Sequence, residues 1–412
     1  MSKFVKLRSI TSKIGSGATP RGGNNVYSEQ GVAFVRSQNI LDMSFSEKGL
    51  VFINDQQAEK LKGVTVENDD ILLNITGDSI ARSCIVPTTI LPARVSQHVS
   101  IIRCKDRKSA PYVNYYLHYL KPHLLQICRV GGTRNALTKE AVENLYINLP
   151  CDYNARAKVL SALDAKIECN NRINAELEAM AKTLYDYWFV QFNFPDHNGH
   201  PYKSSGGKMV YNPTLKRQIP AGWHYSTIGE TFTTHLGGTP SRDKDEYWTP
   251  CEVNWLSSAE NPGTFVVDPD ERISYLGLQN SPAKLLPQGT VILSIVRHLR
   301  ASILGIEAAT NQSVVGIVET SMFKHCFIYP YLVREIPRLM VLRTGAQQPH
   351  INKGVLDESL LAVPDKSTIE AYTRLAAPLF LQMKNYHQQN RELTQLRDWL
   401  LPILMNGQAT VV

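Results

Sequence analysis

Apolar side chains recur every three and four positions through residues 154–191, marking one face at Leu160, Leu163, Ile167, Leu177, Ala181, Leu184 and Trp188, with Asn170 and Asn174 in its middle. No Gly or Pro falls between Pro150 and Pro195, and the interior is rich in Ala, Leu, Glu, Lys and Met, all good helix formers. The same pattern returns 216 residues later as Ala376, Leu379, Met383, Tyr386, Asn390, Leu393, Arg397, Leu400 and Leu404, and Asn174 falls on Asn390. Two such seams, each with a polar Asn, predict long helices that pair with one another, parallel or antiparallel. A dimeric coiled coil is the alternative. A helix of roughly 38 residues spans about 57 Å, longer than an ordinary domain helix.

The helices close two halves that repeat in order. Gly17-Ala18-Thr19-Pro20 returns as Gly237-Gly238-Thr239-Pro240, each followed by an arginine, Arg21 and Arg242. Val32–Val35 matches Val253–Leu256, Asp70–Ile75 matches Thr290–Ile295, Val95-Ser96-Gln97 matches Thr310-Asn311-Gln312, and Tyr115-Tyr116-Leu117 matches Pro330-Tyr331-Leu332. A Gly-containing loop and an apolar strand ending in Pro150 or Pro364 then lead into each helix. The order is collinear throughout, as expected of a duplication.

Within each half, short β-rich runs (Ala33–Val35, Ile71–Ile75, Val99–Arg103; Val291–Val296, Val314–Val318) alternate with polar loops, and helices are predicted over Tyr112–Ile127 and Tyr329–Leu342. The expected architecture is α/β (α+β): globules at residues 1–152 and 225–366, spacer helices at 153–192 and 367–407, and a turn-rich join at 193–224. His197 and His200 in that join lack further ligands nearby and read as a polar loop.

Composition places the chain among soluble globular proteins, with 43% hydrophobic and 20% charged residues over 412 positions. No apolar run is long enough to span a membrane, and seven scattered cysteines without a CxxC pair indicate a reduced, cytoplasmic setting. The net charge of +7 lies entirely in residues 1–150, which hold 19 Lys and Arg against 12 Asp and Glu. A basic first half points to a polyanionic partner.

The sequence carries no motif for covalent chemistry: there is no GxxxxGK[ST], no GxGxxG after a strand, no GxSxG or HExxH, and Asn212-Pro213 is followed by Thr214 where an Asn-Pro-Pro-aromatic tetrad would continue. The sequence therefore predicts no catalysis, metal or cofactor in this chain. What remains is polar residues at paired loop tips. Arg36, Gln38 and Asn39 match Ser257 and Ser258; Asn74, Thr76 and Arg82 match Ser294, Arg297, His298 and Arg300; Arg134 and Asn135 match Gln347 and Gln348. With Arg21 and Arg242 these are the candidate DNA-binding residues, since Arg, Asn, Gln and Ser read base edges or grip phosphate. The frame repeats while the tips differ, so two similar readers would read two different sequences.

The Gly-x-Thr-Pro loop, the strand with a following Gln, the Pro-terminated strand, Ile219-Pro-Ala-Gly-Trp223 at the second opening, and Asn-x-Glu-Leu in each helix (Asn174–Leu177, Asn390–Leu393) together resemble the specificity subunit of type I restriction-modification enzymes. The resemblance covers essentially the whole chain. It implies two target recognition domains, each reading half of a split double-stranded DNA site, spaced by two helices. It also implies two methylation subunits that bind S-adenosylmethionine, and restriction subunits that use ATP and Mg. A two-domain protein-binding scaffold is the alternative reading of the repeats.

Overall fold

The computed structural model describes residues 3–129, 136–259, 263–345 and 349–411. The chain divides into two compact units, residues 1–166 with 393–412, and residues 167–392. The division falls within both long helices, Tyr153–Tyr185 and Lys366–Met405, so each unit owns a stretch of each.

The first unit holds two four-stranded sheets. One runs Thr11–Ser16, Val99–Cys104, Ile71–Asn74, Ser83–Ile85 and is wholly antiparallel. The other runs Val51–Ile53, Val32–Val35, Ala93–Val95, Thr65–Val66, with a parallel pairing of Val32–Val35 on Ala93–Val95. A ribbon of Lys3–Lys6 and Tyr146–Leu149 closes the unit. Every position of Ile71–Asn74 is buried, as expected of a central strand covered on both faces.

The second unit repeats this plan. Thr234–Leu236, Val314–Ile317, Val291–Ser294 and Arg300–Leu304 stand in the order of the first sheet, extended by Phe265–Val266. Glu271–Ile273, Val253–Leu256 and Ala309–Thr310 form the second sheet with the same parallel pairing, and His224–Thr227 pairs with Leu360–Val363 as the closing ribbon. The duplication seen in the sequence is a duplication of topology.

The helix expected over Tyr112–Ile127 is two, Ala110–Tyr119 and Lys121–Arg129, separated at Leu120. Its counterpart, His325–Val341, starts four residues before the expected Tyr329, because the Glu319 carboxylate accepts the His325 amide at 2.8 Å and so satisfies a first-turn donor. The join at 193–224 is more than turns. It carries a hairpin of Met209–Asn212 with Arg217–Pro220 and buries Phe192, Phe194 and Trp223, with Phe194 and Trp223 stacked at 5.2 Å. Each buried aromatic contributes about 1.5–3 kcal/mol, which anchors the join in the second unit's core.

The two long helices pair within the chain, antiparallel in each unit. In the first unit Arg156 donates to the Leu404 carbonyl, and Arg397 reaches Asp164 at 2.9 Å. Leu160, Leu400, Leu401, Leu404 and Met405 belong to one apolar cluster there. In the second unit Asn170 meets Asn390 at 2.9 Å, while Leu177, Ala181, Tyr185, Tyr372, Ala376 and Met383 share the core. Leu163, Ile167, Leu184, Leu379 and Leu393 are half-buried along the same stretches. Among the described residues no helix is long and apolar enough to cross a membrane.

Candidate nucleic-acid interface

The repeated Gly-x-Thr-Pro loop explains how the candidate site is assembled. The Gly17 amide donates to the Val99 carbonyl at 2.8 Å, and the Ala18 amide to the Val95 carbonyl at 3.0 Å. A Cβ on Gly17 would lie 2.0 Å from the Val95 oxygen, so only glycine lets the backbones approach this closely. In the second unit Gly237 donates to the Val314 carbonyl and Gly238 to the Thr310 carbonyl, and a Cβ on Gly237 would lie 2.3 Å from the Thr310 oxygen.

This seating brings a threonine to a glutamine in both units. The Gln97 backbone amide donates to the Thr19 hydroxyl at 3.5 Å, and the Thr239 hydroxyl donates to the Gln312 side-chain oxygen at 2.5 Å. The following turn is tied to the loop after the first sheet strand, by the Ser96 amide on the Val35 carbonyl at 2.9 Å and the Asn311 amide on the Leu256 carbonyl at 3.0 Å.

A third loop joins by matching bonds. The Ile75 amide donates to the His98 carbonyl and Ile295 to Ser313; the Leu137 amide donates to the Ile75 carbonyl and Ile351 to Ile295. Thr76 pairs with Ala136 and Val296 with His350 as isolated bridges. Each unit therefore gathers the same loops around one backbone frame. In the first unit the Thr76 hydroxyl meets His98 Nδ1 at 2.6 Å. The other ring nitrogen faces the Gln97 amide at 3.5 Å rather than a carboxylate that would orient a general base.

The predicted residues separate into those that face outward and those that build the frame. Arg21, Gln38, Arg297, His298 and Arg300 are exposed, and Arg36, Thr76, Arg82, Ser257 and Ser258 are half-buried. Asn39 and Asn74 are fully buried: the Asn39 amide donates to the Ser46 carbonyl at 2.9 Å, and the Asn74 amide to the Ser37 carbonyl at 2.9 Å. Ser294, the counterpart of Asn74, is buried at the end of its strand. Asn39 and Asn74 thus tie their loops to the frame. Arg242 is forked onto Glu271 at 2.8 and 2.9 Å and stacked on Trp248 at 3.6 Å. Arg36 and Gln38 both donate to the Gly49 carbonyl. Arg134, Asn135, Gln347 and Gln348 lie outside the described residues.

Three exposed side chains at the frame, Gln97, His98 and Gln312, were not among the sequence candidates. Their signal was present in the match of Val95-Ser96-Gln97 to Thr310-Asn311-Gln312, since the glutamine recurs in both halves together with the Gly-x-Thr-Pro loop. The interface offers amide, hydroxyl, imidazole and guanidinium groups, which suit base edges and phosphates. Burial pushes the Cys84 and Cys326 thiols up to about 12, which makes both inert. Among the described residues, no group of three or more His, Cys, Asp or Glu is placed to hold a metal ion.

Comparison with known proteins accords with this geometry. The family model for the type I restriction modification DNA specificity domain matches residues 2–179 and 220–371. The chain is 24% identical over 331 residues to the type I restriction enzyme MjaIX specificity subunit of Methanocaldococcus jannaschii, covering 78% of this chain and 74% of that one. It is 22% identical over 335 residues to the HindI specificity subunit of Haemophilus influenzae, covering 68% and 72%. The crystal structure of a type I restriction-modification S subunit from M. genitalium superposes with a TM-score of 0.57 at 12% identity, over 100% of this chain and 97% of that one, and shares its fold.

Proposed function

The chain belongs to the type I restriction modification DNA specificity family, and from that premise we propose that it is the non-catalytic, sequence-reading subunit of a restriction-modification assembly. Each unit reads one half of a bipartite, asymmetric site in double-stranded DNA. Two methylation subunits supply S-adenosylmethionine and methylate adenine. Restriction subunits supply ATP- and Mg-dependent cleavage, and the assembly works in the cytoplasm.

The observation that carries this reading is the repetition of one loop frame with different tips. The bonds of Ile75 and Ile295, and of Gly17 and Gly237, correspond one to one. The groups displayed on them do not: Gln97 and His98 stand in one unit where Gln312 and Ser313 stand in the other. A frame built twice with different side chains suits two different half-sites better than one symmetric ligand.

The test is binding and methylation by the chain assembled with its methylation subunits. The expected result is methylation of one split sequence, with affinity falling steeply as salt rises because phosphate contacts release counterions. The purified chain alone should transfer no methyl group and cut no DNA. Salt-insensitive binding to protein, without sequence-selective DNA binding, would support a scaffold instead.

A further inference from the structure

The residue at the tip of the loop after the central strand has a left-handed backbone in both units, and the two units solve that constraint differently. In the first unit it is Gly77, with φ of +80°, where an added Cβ would meet nothing within 4 Å. In the second it is Arg297, with φ of +61°. The positions correspond, because Ile75 and Ile295, two residues earlier, make the same pair of backbone bonds. Glycine adopts this conformation freely, whereas a long side chain is strained in it. The frame thus tolerates glycine, and one unit carries an exposed arginine there despite the strain.

The strained conformation is held from two sides. The Arg297 amide donates to the Pro349 carbonyl at 2.8 Å. The Arg343 guanidinium donates to the Arg297 carbonyl at 2.8 Å, while its Nε donates to the Met340 carbonyl at 3.0 Å. Arg343 sits after the helix His325–Val341, so the clamp ties the loop tip to a regular element. A backbone outlier fixed by its surroundings at a ligand-facing loop is where strain serves function.

Resting on the DNA-reading function proposed above, we infer that Arg297 is a specificity-determining residue of the second unit, reading a guanine edge through its planar fork, and that Arg343 is its positioning residue. The first unit presents bare backbone at the equivalent Gly77, so this contact belongs to one half-site only.

The test uses the chain assembled with its methylation subunits, and compares R297G, R297K and R343A. R297G removes the side chain and the strain together. It should raise Tm by about 1–4 °C while discrimination at a single base pair of one half-site falls on the order of ten- to a hundredfold. R297K keeps the charge but not the fork and should fail to restore that discrimination. R343A should lose part of it at the same base pair, leaving the other half-site unchanged. Full discrimination in R297G would overturn the inference, as would full discrimination in R297K, which would show that a point charge suffices without the fork; equal weakening of R297G on all sequences would assign the contact to phosphate. If the unmodified assembly itself shows no sequence preference, the failure lies instead with the DNA-reading function.

Discussion

Asn170 donates its side-chain amide to the side-chain oxygen of Asn390 at 2.9 Å, across the seam between the two long helices. Asn390 in turn donates to Asn171 at 2.7 Å. Polar residues in an apolar seam fix register, because any slip leaves buried amides unpaired. Replacing Asn390 alone by Ala should cost about 0.5–1.5 kcal/mol, since it leaves the buried Asn170 amide only its longer bond to Gln389 at 3.3 Å. Replacing Asn170 and Asn390 together by Leu should recover that loss or exceed it. Chemical denaturation of the two variants checks the difference.

Asp164 ties a second crossing. It accepts from Tyr115 at 2.5 Å and from Arg397 at 2.9 Å, both largely buried. Burial, reinforced by the Asp164 carboxylate, raises the Tyr115 phenol above its usual range, so the phenol donates throughout the stable pH range. Asp164→Ala leaves the phenol with only the longer bond to Ser161 at 3.4 Å and Arg397 with only Asp398 at 2.9 Å, and should lower stability by about 1–3 kcal/mol. A loss under about 0.5 kcal/mol in urea unfolding would show that the crossing is held by its apolar contacts alone.

Gly15 lies in the strand Thr11–Ser16 and Gly17 just beyond its end, and the two differ in surroundings. An added Cβ would clash at Gly17 and meet nothing within 4 Å at Gly15. Gly17→Ala should destabilise the first unit by about 1–3 kcal/mol and weaken DNA binding, because the loop bearing Thr19 must move. Gly15→Ala should be neutral within about 0.5 kcal/mol. Thermal unfolding and DNA titration of both variants decide this.

His387 predicts a pH dependence. Its burial lowers the imidazole pKa below the ordinary value of 6.5, over the opposing pull of Glu178. The unfolded state then binds more protons than the folded state as pH falls through 6.5. The stability contribution is complete at neutral pH and is lost toward acid. His387→Gln should flatten the decline of stability between about pH 7 and pH 5. An unchanged slope would assign the decline to other groups.

The duplication, the central strands and both helices were legible in the sequence, because a run such as Ile71-Leu72-Leu73 or a three-four stripe reports burial directly. The direction of helix pairing was not, since a seam in register fits parallel and antiparallel partners alike. Arg156 on Leu404 together with Asp164 on Arg397 settles it, because the numbers rise along one helix while they fall along the other. At the loops, residue type alone did not separate Asn74, whose amide is spent on the Ser37 carbonyl, from His98, which faces outward. Both are polar residues beside a buried strand. The pairing of Arg242 was hidden for a similar reason: Glu271, which engages it, lies 29 positions away along the chain.

The central claim is that the two units read DNA independently. Its most direct test replaces residues 1–150 by the corresponding region of a relative, assembles the chimaera with the same methylation subunits, and maps every methylated adenine. The expected outcome is a hybrid site: one half of the recognition sequence changes to that of the donor, and the other half is retained base for base. A site in which both halves change together, or neither does, would contradict the account.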